Sequence, residues 1–184
     1  LQSFNILVPQ VTELVKTGNK KTQISLAWKA INGVEGYRIY RYNPTTGKYA
    51  FLKQIPGSEV NTYTDTGLMA GTQYRYRVRA YVTVNKEKKY GKYSVKYKTA
   101  TRLNKETLKV KSGKKRATLS WKLLDGASGY EILMSKNGTD YSLIKKKKKK
   151  KTISYVKTGL KKNKKFYFKV RAYKTVAGEN IYGS

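Results

Sequence analysis

Apolar and polar residues alternate with a period of two along much of this chain. Ile24, Leu26 and Trp28 alternate with Ser25, Ala27 and Lys29, and Tyr74, Tyr76, Val78 and Ala80 alternate with Arg75, Arg77 and Arg79. Leu119 and Trp121, then Phe166, Phe168, Val170 and Ala172, repeat the pattern further on. Successive side chains of a strand point to opposite faces, so this spacing predicts antiparallel strands with one face buried. Aromatic and β-branched residues fill the inward positions, where a pleated surface packs them well. Turn pairs punctuate the runs at Asn32-Gly33, Asn43-Pro44, Pro56-Gly57, Ala70-Gly71 and Asn137-Gly138. Asn137-Gly138 suits a two-residue hairpin, because both residues tolerate positive φ. No segment sustains a helical period. The fold class is all-β.

The pattern occurs twice. Trp28 matches Trp121 and Gly36-Tyr37 matches Gly129-Tyr130 at an offset of 93, and Val78-Arg79-Ala80-Tyr81 matches Val170-Arg171-Ala172-Tyr173 at an offset of 92. The slip falls where Asn43-Pro44-Thr45-Thr46-Gly47 gives way to the shorter Lys136-Asn137-Gly138-Thr139. A length change at a hairpin tip is what two copies of one β-fold should show. A repeat of this length suits a sandwich domain better than a solenoid unit.

On these residues the chain resembles the fibronectin type III family. Trp28, Tyr37 with Ile39, and then Leu68, Gly71, Thr72, Tyr74, Val78 and Ala80 carry the resemblance in the first copy, with Ala70 where a proline is usual. The second copy keeps Trp121, Tyr130, Ile132, Leu160, Val170 and Ala172. The resemblance implies two tandem immunoglobulin-like (fibronectin type III) antiparallel β-sandwiches, one over residues 1–101 and one over 102–184, the last strand of the second being cut short. It further implies a structural core of Trp28, Trp121, Tyr37, Tyr130, Tyr74 and Phe166. Tyr74 would be the corner tyrosine, its hydroxyl bonded to nearby backbone. Phe166 fills that position in the second copy without a hydroxyl, so the second corner should be the less stable. With no Gly/Ser-rich or Pro-rich linker, the joint should be short and the pair extended.

Composition narrows the function. The 184 residues contain no Cys and no His, which excludes disulfides, thiolate metal sites and the Ser-His-Asp, Cys-His and zinc-hydrolase arrangements. The few carboxylates, Glu35, Asp65 and Asp125 among them, form no pair at matched positions, so a glycosidase dyad is not expected. No enzyme activity, metal or cofactor is expected. Against 10 acidic residues stand 41 basic ones, a formal net charge of +31, and such a field favours anionic partners. The bland alternative is lysine as the default polar residue of an extracellular spacer. No apolar run is long enough to cross a bilayer.

Two features could bind a ligand. The run Lys145, Lys146, Lys147, Lys148, Lys149, Lys150 and Lys151 could be a flexible cationic loop gripping polyanions by counterion release, or a solvated loop that merely extends. The outward face that carries Arg75, Arg77 and Arg79 would also present Tyr40, Tyr42 and Tyr81, with Tyr167 and Tyr173 in the second copy. Interleaved Arg and Tyr suit either cation–π contact with a ligand or simple cross-strand cover. Asn137-Gly138-Thr139 fits the glycosylation pattern and is read as hairpin chemistry.

The resemblance implies a non-catalytic spacer or adhesive segment, secreted or attached to the cell wall of a Gram-positive bacterium. Its partners would be other domains of the same polypeptide and an anionic cell-wall polymer, glycan or protein, with nucleic acid set aside. The alternatives are a polyanion-binding module, for teichoic acid or sulfated glycan, and an accessory carbohydrate-binding module of a polysaccharide-degrading enzyme.

Overall fold

The computed structural model describes residues 7–148, 151 and 153–183. These form fifteen strands in antiparallel sheets and no helix. The chain divides into two compact units, residues 1–68 with 73–99, and residues 69–72 with 100–184.

In the first unit, β1 (Val15–Asn19), β2 (Ile24–Ala27) and β5 (Thr62–Asp65) make one sheet in the order β1-β2-β5. The second sheet runs β4-β3-β6-β7 from β3 (Gly36–Asn43), β4 (Lys48–Pro56), β6 (Gln73–Val84) and β7 (Glu87–Tyr90), with β8 (Tyr97–Ala100) also pairing β6. The inward positions read from the alternation close the core. Ile24, Leu26, Tyr37, Ile39, Tyr76, Val78 and Ala80 are fully buried, and Val8, Val11 and Leu14 join them. Trp28 is 3% exposed and meets Tyr37 edge-on at 5.2 Å. A buried tyrosine needs partners for its hydroxyl. Tyr37 has them: it accepts from Ile31 N at 2.8 Å and donates to Ser58 O at 2.8 Å.

The second unit repeats the plan. One sheet holds β9 (Lys109–Gly113), β10 (Arg116–Ser120) and β13 (Ser154–Thr158), ordered β13-β10-β9. The other is β12-β11-β14-β15, from β11 (Gly129–Ser135), β12 (Ser142–Lys147), β14 (Tyr167–Val176) and β15 (Glu179–Tyr182). Trp121 is 4% exposed and 5.3 Å from Tyr130, whose hydroxyl accepts from Leu124 N at 2.9 Å. Even the irregularities recur. A bulge falls between Ile39 and Tyr40 and again between Ile132 and Leu133, at matched positions. Each unit is an antiparallel β-sandwich.

The hairpin between β11 and β12 is longer than the two residues expected, running from 136 to 141. Asn137 organises it instead: its Oδ1 accepts from Thr139 N and Asp140 N at 3.0 and 2.9 Å, and its Nδ2 donates to Asp140. An asparagine side chain that folds back on its own backbone builds a turn of this kind.

Gly36 and Gly129 open β3 and β11, and the partner strand explains both. A Cβ on Gly36 would lie 2.1 Å from Ile55 O, and one on Gly129 2.1 Å from Lys147 O. Backbone cannot yield as a flexible side chain can, so Gly129→Ala should cost about 1–3 kcal/mol by forcing the β11–β12 pair apart. Denaturant unfolding of this variant measures the effect, and a change below about 0.5 kcal/mol would contradict the clash.

Candidate functional site

The outward face of the β4-β3-β6-β7 sheet carries the arginines and tyrosines read from the sequence. Arg75 lies over Tyr42 at 4.8 Å, and Arg77 over Tyr49 and Tyr93 at 5.1 and 5.4 Å. Arg79 reaches Tyr40, Tyr90 and Tyr93 at 5.0, 4.0 and 4.8 Å, and donates to Tyr40 Oη from two nitrogens. Arg38 continues the lattice over Phe51 and Tyr90, and its Nε donates to Gln54 at 3.0 Å. Each guanidinium faces ring electrons that would otherwise meet a ligand, and each such contact stabilises by about 0.5–1 kcal/mol or more.

This cover changes the picture for the aromatics. Tyr40, Tyr81 and Tyr173 were expected to stand open to solvent, but they are only 6%, 3% and 4% exposed. Period-two spacing assigns a side to each residue and says nothing of what covers it. Tyr42 is half-buried beneath Arg75 and beside Tyr49. Tyr167, 41% exposed, is the most open of the five. Tyr173 is covered by Lys146, 4.5 Å from its ring, and by Tyr182.

The lysine run is not wholly a loop. Lys145, Lys146 and Lys147 lie on β12, opposite Ile132, Glu131 and Tyr130. Strand pairing to β11 fixes their backbone, which is why the expected flexibility fails there. Lys146 pairs with Glu131 at 3.2 Å, and Lys147 lies 5.6 Å from the Tyr155 ring. Lys148 and Lys151 are exposed. Lys149 and Lys150 lie outside the described residues.

At the centre of the second unit's outer face is Glu131, its side chain 5% exposed. Arg171 bonds it at 2.8 Å, and Tyr182 donates to it at 3.1 Å. Burial pushes the Glu131 carboxyl up, but the hydrogen bonds from Arg171, Lys146 and Tyr182 outweigh it, so the net shift is downward. A carboxylate with a lowered folded pKa binds fewer protons folded than unfolded through the acid range. Its stabilisation is therefore present above the ordinary carboxylate range and lost as pH falls through that range toward the lowered value. Glu131→Gln should flatten the acid side of the second unit's stability profile; an unchanged acid slope would show the network contributes nothing. Glu106 has the opposite sign: burial raises its pKa, though Ala172 N donates to it.

A buried cluster in the first unit escaped the sequence reading. Asp65, 2% exposed, takes a forked bond from Arg41 at 2.8 and 3.1 Å and the Tyr76 hydroxyl at 2.7 Å. Burial first, then the bond to Asp65, pushes the Tyr76 phenol up. Tyr74 sits half-buried against the same core, with Arg41 5.8 Å from its ring.

The second unit has no such plug. The register sets Met134 opposite Phe168 on β11 and β14, as Arg41 is opposite Tyr76 on β3 and β6. Lys157 takes the place of Asp65 at the 92-residue offset. There the sandwich opens into a cleft of about 490 Å³ floored by Met134, Leu160 and Phe166. Phe166, expected in the core, is half-buried in this lining. Among the described residues, no group of three or more acidic side chains could hold a metal ion, and no helix is long and apolar enough to cross a membrane.

Comparison with known proteins adds a family. Residues 9–97, all but 69–72 of them in the first unit, match the family model of the fibronectin type III domain. Over 69 residues, 38% of the chain, the sequence is 35% identical to a poly(3-hydroxybutyrate) depolymerase from Ralstonia pickettii, and it spans only 12% of that protein's length. Among solved structures, a two-domain fibronectin type III segment of chicken tenascin is 19% identical, with 94% of this chain and 97% of that one covered and a TM-score of 0.49. The FN1–FN3 domains of chicken CNTN1 are 16% identical over 97% of this chain and 66% of theirs, with a TM-score of 0.47.

Proposed function

We propose, from the fibronectin type III domain over residues 9–97, that the chain is a non-catalytic spacer or adhesive module of a secreted or cell-wall-attached bacterial protein. One observation carries this reading. The face best suited to holding a sugar or polymer in the first unit spends its rings on its own arginines, with Tyr40 and Tyr81 buried. A covered aromatic lattice stiffens a module and leaves little ring surface for a ligand. The partners in this reading are the neighbouring domains of the same polypeptide.

The local similarity to a depolymerase favours a second reading, an accessory domain of a polymer-degrading extracellular enzyme. The two separate in a pull-down with insoluble neutral polysaccharide and with heparin–agarose, beside a control protein of equal basicity. A spacer is retained on neither beyond the control. Salt-insensitive retention on the neutral polymer, lost in Tyr167→Ala, would overturn the spacer reading in favour of the accessory one. Heparin retention that falls steeply with salt and weakens when the described lysines of the run become glutamine would favour polyanion binding.

A further inference from the structure

In the second unit three linked replacements remove an internal plug, and two of the residues that replace it line a cleft. Arg41, Asp65 and Tyr76 close the corner of the first sandwich with each other's charge and hydrogen bonds. The matched residues Met134, Lys157 and Phe168 cannot bond to one another, and Met134 and Lys157 line a cleft of about 490 Å³. That lies within the roughly 300–1,000 Å³ common for small-ligand sites. Its floor is apolar. Its rim holds Lys136, Lys157, Lys161, Lys164 and Lys165, and no acidic residue lines it. Lys157 is half-buried there, with no carboxylate partner among the described residues. A second cleft of about 460 Å³ shares Leu160 and Phe166 and extends the apolar lining to Phe168 and Val110.

We propose that this cleft binds an amphiphilic carboxylate, its chain on the Met134–Leu160–Phe166 floor and its head against Lys157 and the lysine rim. A lysine without a carboxylate partner is stabilised by an anion that reaches it, and the apolar floor gains when a chain replaces water. An acidic polysaccharide would use the rim alone and leave the floor wet, so the floor selects a ligand with an apolar stem. The site is distinct from the arginine–tyrosine face and from the lysines of β12, and it does not depend on whether the chain acts as a spacer.

The chain has two methionines, and they make the test direct. Met134 lines the cleft, while Met69 is 73% exposed outside it. Methyl-labelled protein titrated with decanoate below its micelle concentration should show a saturable shift of the Met134 methyl with Met69 unmoved. Decanol should bind roughly ten-fold more weakly, and decyltrimethylammonium should not shift Met134. Lys157→Asp should weaken decanoate by about ten-fold or more. Restoring the plug with M134R/K157D/F168Y should abolish binding, as read by calorimetry. The wild-type series alone decides the matter if a variant fails to fold. No saturable Met134 shift, or equal binding of decanol, would overturn the proposal. A heparin hexasaccharide that shifts Met134 where decanoate does not would overturn it in favour of an acidic polymer.

Discussion

Replacing Trp28 or Trp121 by alanine is expected to destabilise the corresponding unit by about 3–5 kcal/mol. Each ring is almost sealed, at 3% and 4% exposure, and each lies edge-on or tilted against a fully buried tyrosine. Alanine would leave a void beside Tyr37, in the core that holds Ile24 and Leu26, in one unit and beside Tyr130, in the core that holds Leu119, in the other. Phenylalanine should cost clearly less, for a reason beyond volume. Neither indole Nε1 has a hydrogen-bond partner among the described residues, although both are buried. A buried donor without an acceptor already carries a penalty of about 1–3 kcal/mol, and phenylalanine removes that donor. Denaturant melts followed by circular dichroism, which reports both units, should show one transition displaced, while the remaining tryptophan should report the other unit's transition unmoved. A near-neutral alanine variant in both units would mean that the rings do not hold the cores.

The second large effect is expected at Asp65. Asp65→Ala should cost the first unit about 2–4 kcal/mol, because it leaves the Tyr76 hydroxyl buried without an acceptor and Arg41 without its counterion. Arg41 has a side chain 35% exposed and can turn to water, which keeps the loss from growing larger. Removing all three polar groups together should cost less than removing one. The second unit already carries Met134 and Phe168 at two of these positions. R41M/D65L/Y76F should therefore recover much of the stability lost in Asp65→Ala, since a buried polar cluster replaced whole by apolar side chains of similar size is often near neutral. Urea melts of the single and triple variants give the comparison; a triple variant less stable than the single one would show that the cluster acts by more than mutual satisfaction of its members.

The two sandwiches were legible because alternation and repeat are local signals. Tyr76, Val78 and Ala80 on β6, and Trp28 and Trp121, could be assigned inward from spacing alone. What lies between strands was harder to see. Tyr40 and Tyr81 take the outward side by count, yet Arg79, reaching across from β6 to β3, and the neighbouring tyrosines close over that face. Asp65 could be counted among the few carboxylates, but its partner Arg41 lies 24 residues away on the other sheet. The cleft near Lys157 is harder still, since it arises from joint changes on β11, β13 and β14, none of which is conspicuous by itself. The lysine run drew attention by composition, whereas pairing to β11 decided the conformation of its first three members.

That placement has a consequence for how the molecule behaves among its own copies. β12 ends its sheet, so one side of its backbone is left without a neighbouring strand. An open border of this kind can template the addition of a strand from another chain, the first step toward aggregation. Leu143, 53% exposed on β12, would favour such docking, but Lys145, Lys146 and Lys147 follow one residue later. Two copies brought border to border would force these ammonium groups together, and charges so placed oppose edge-to-edge pairing.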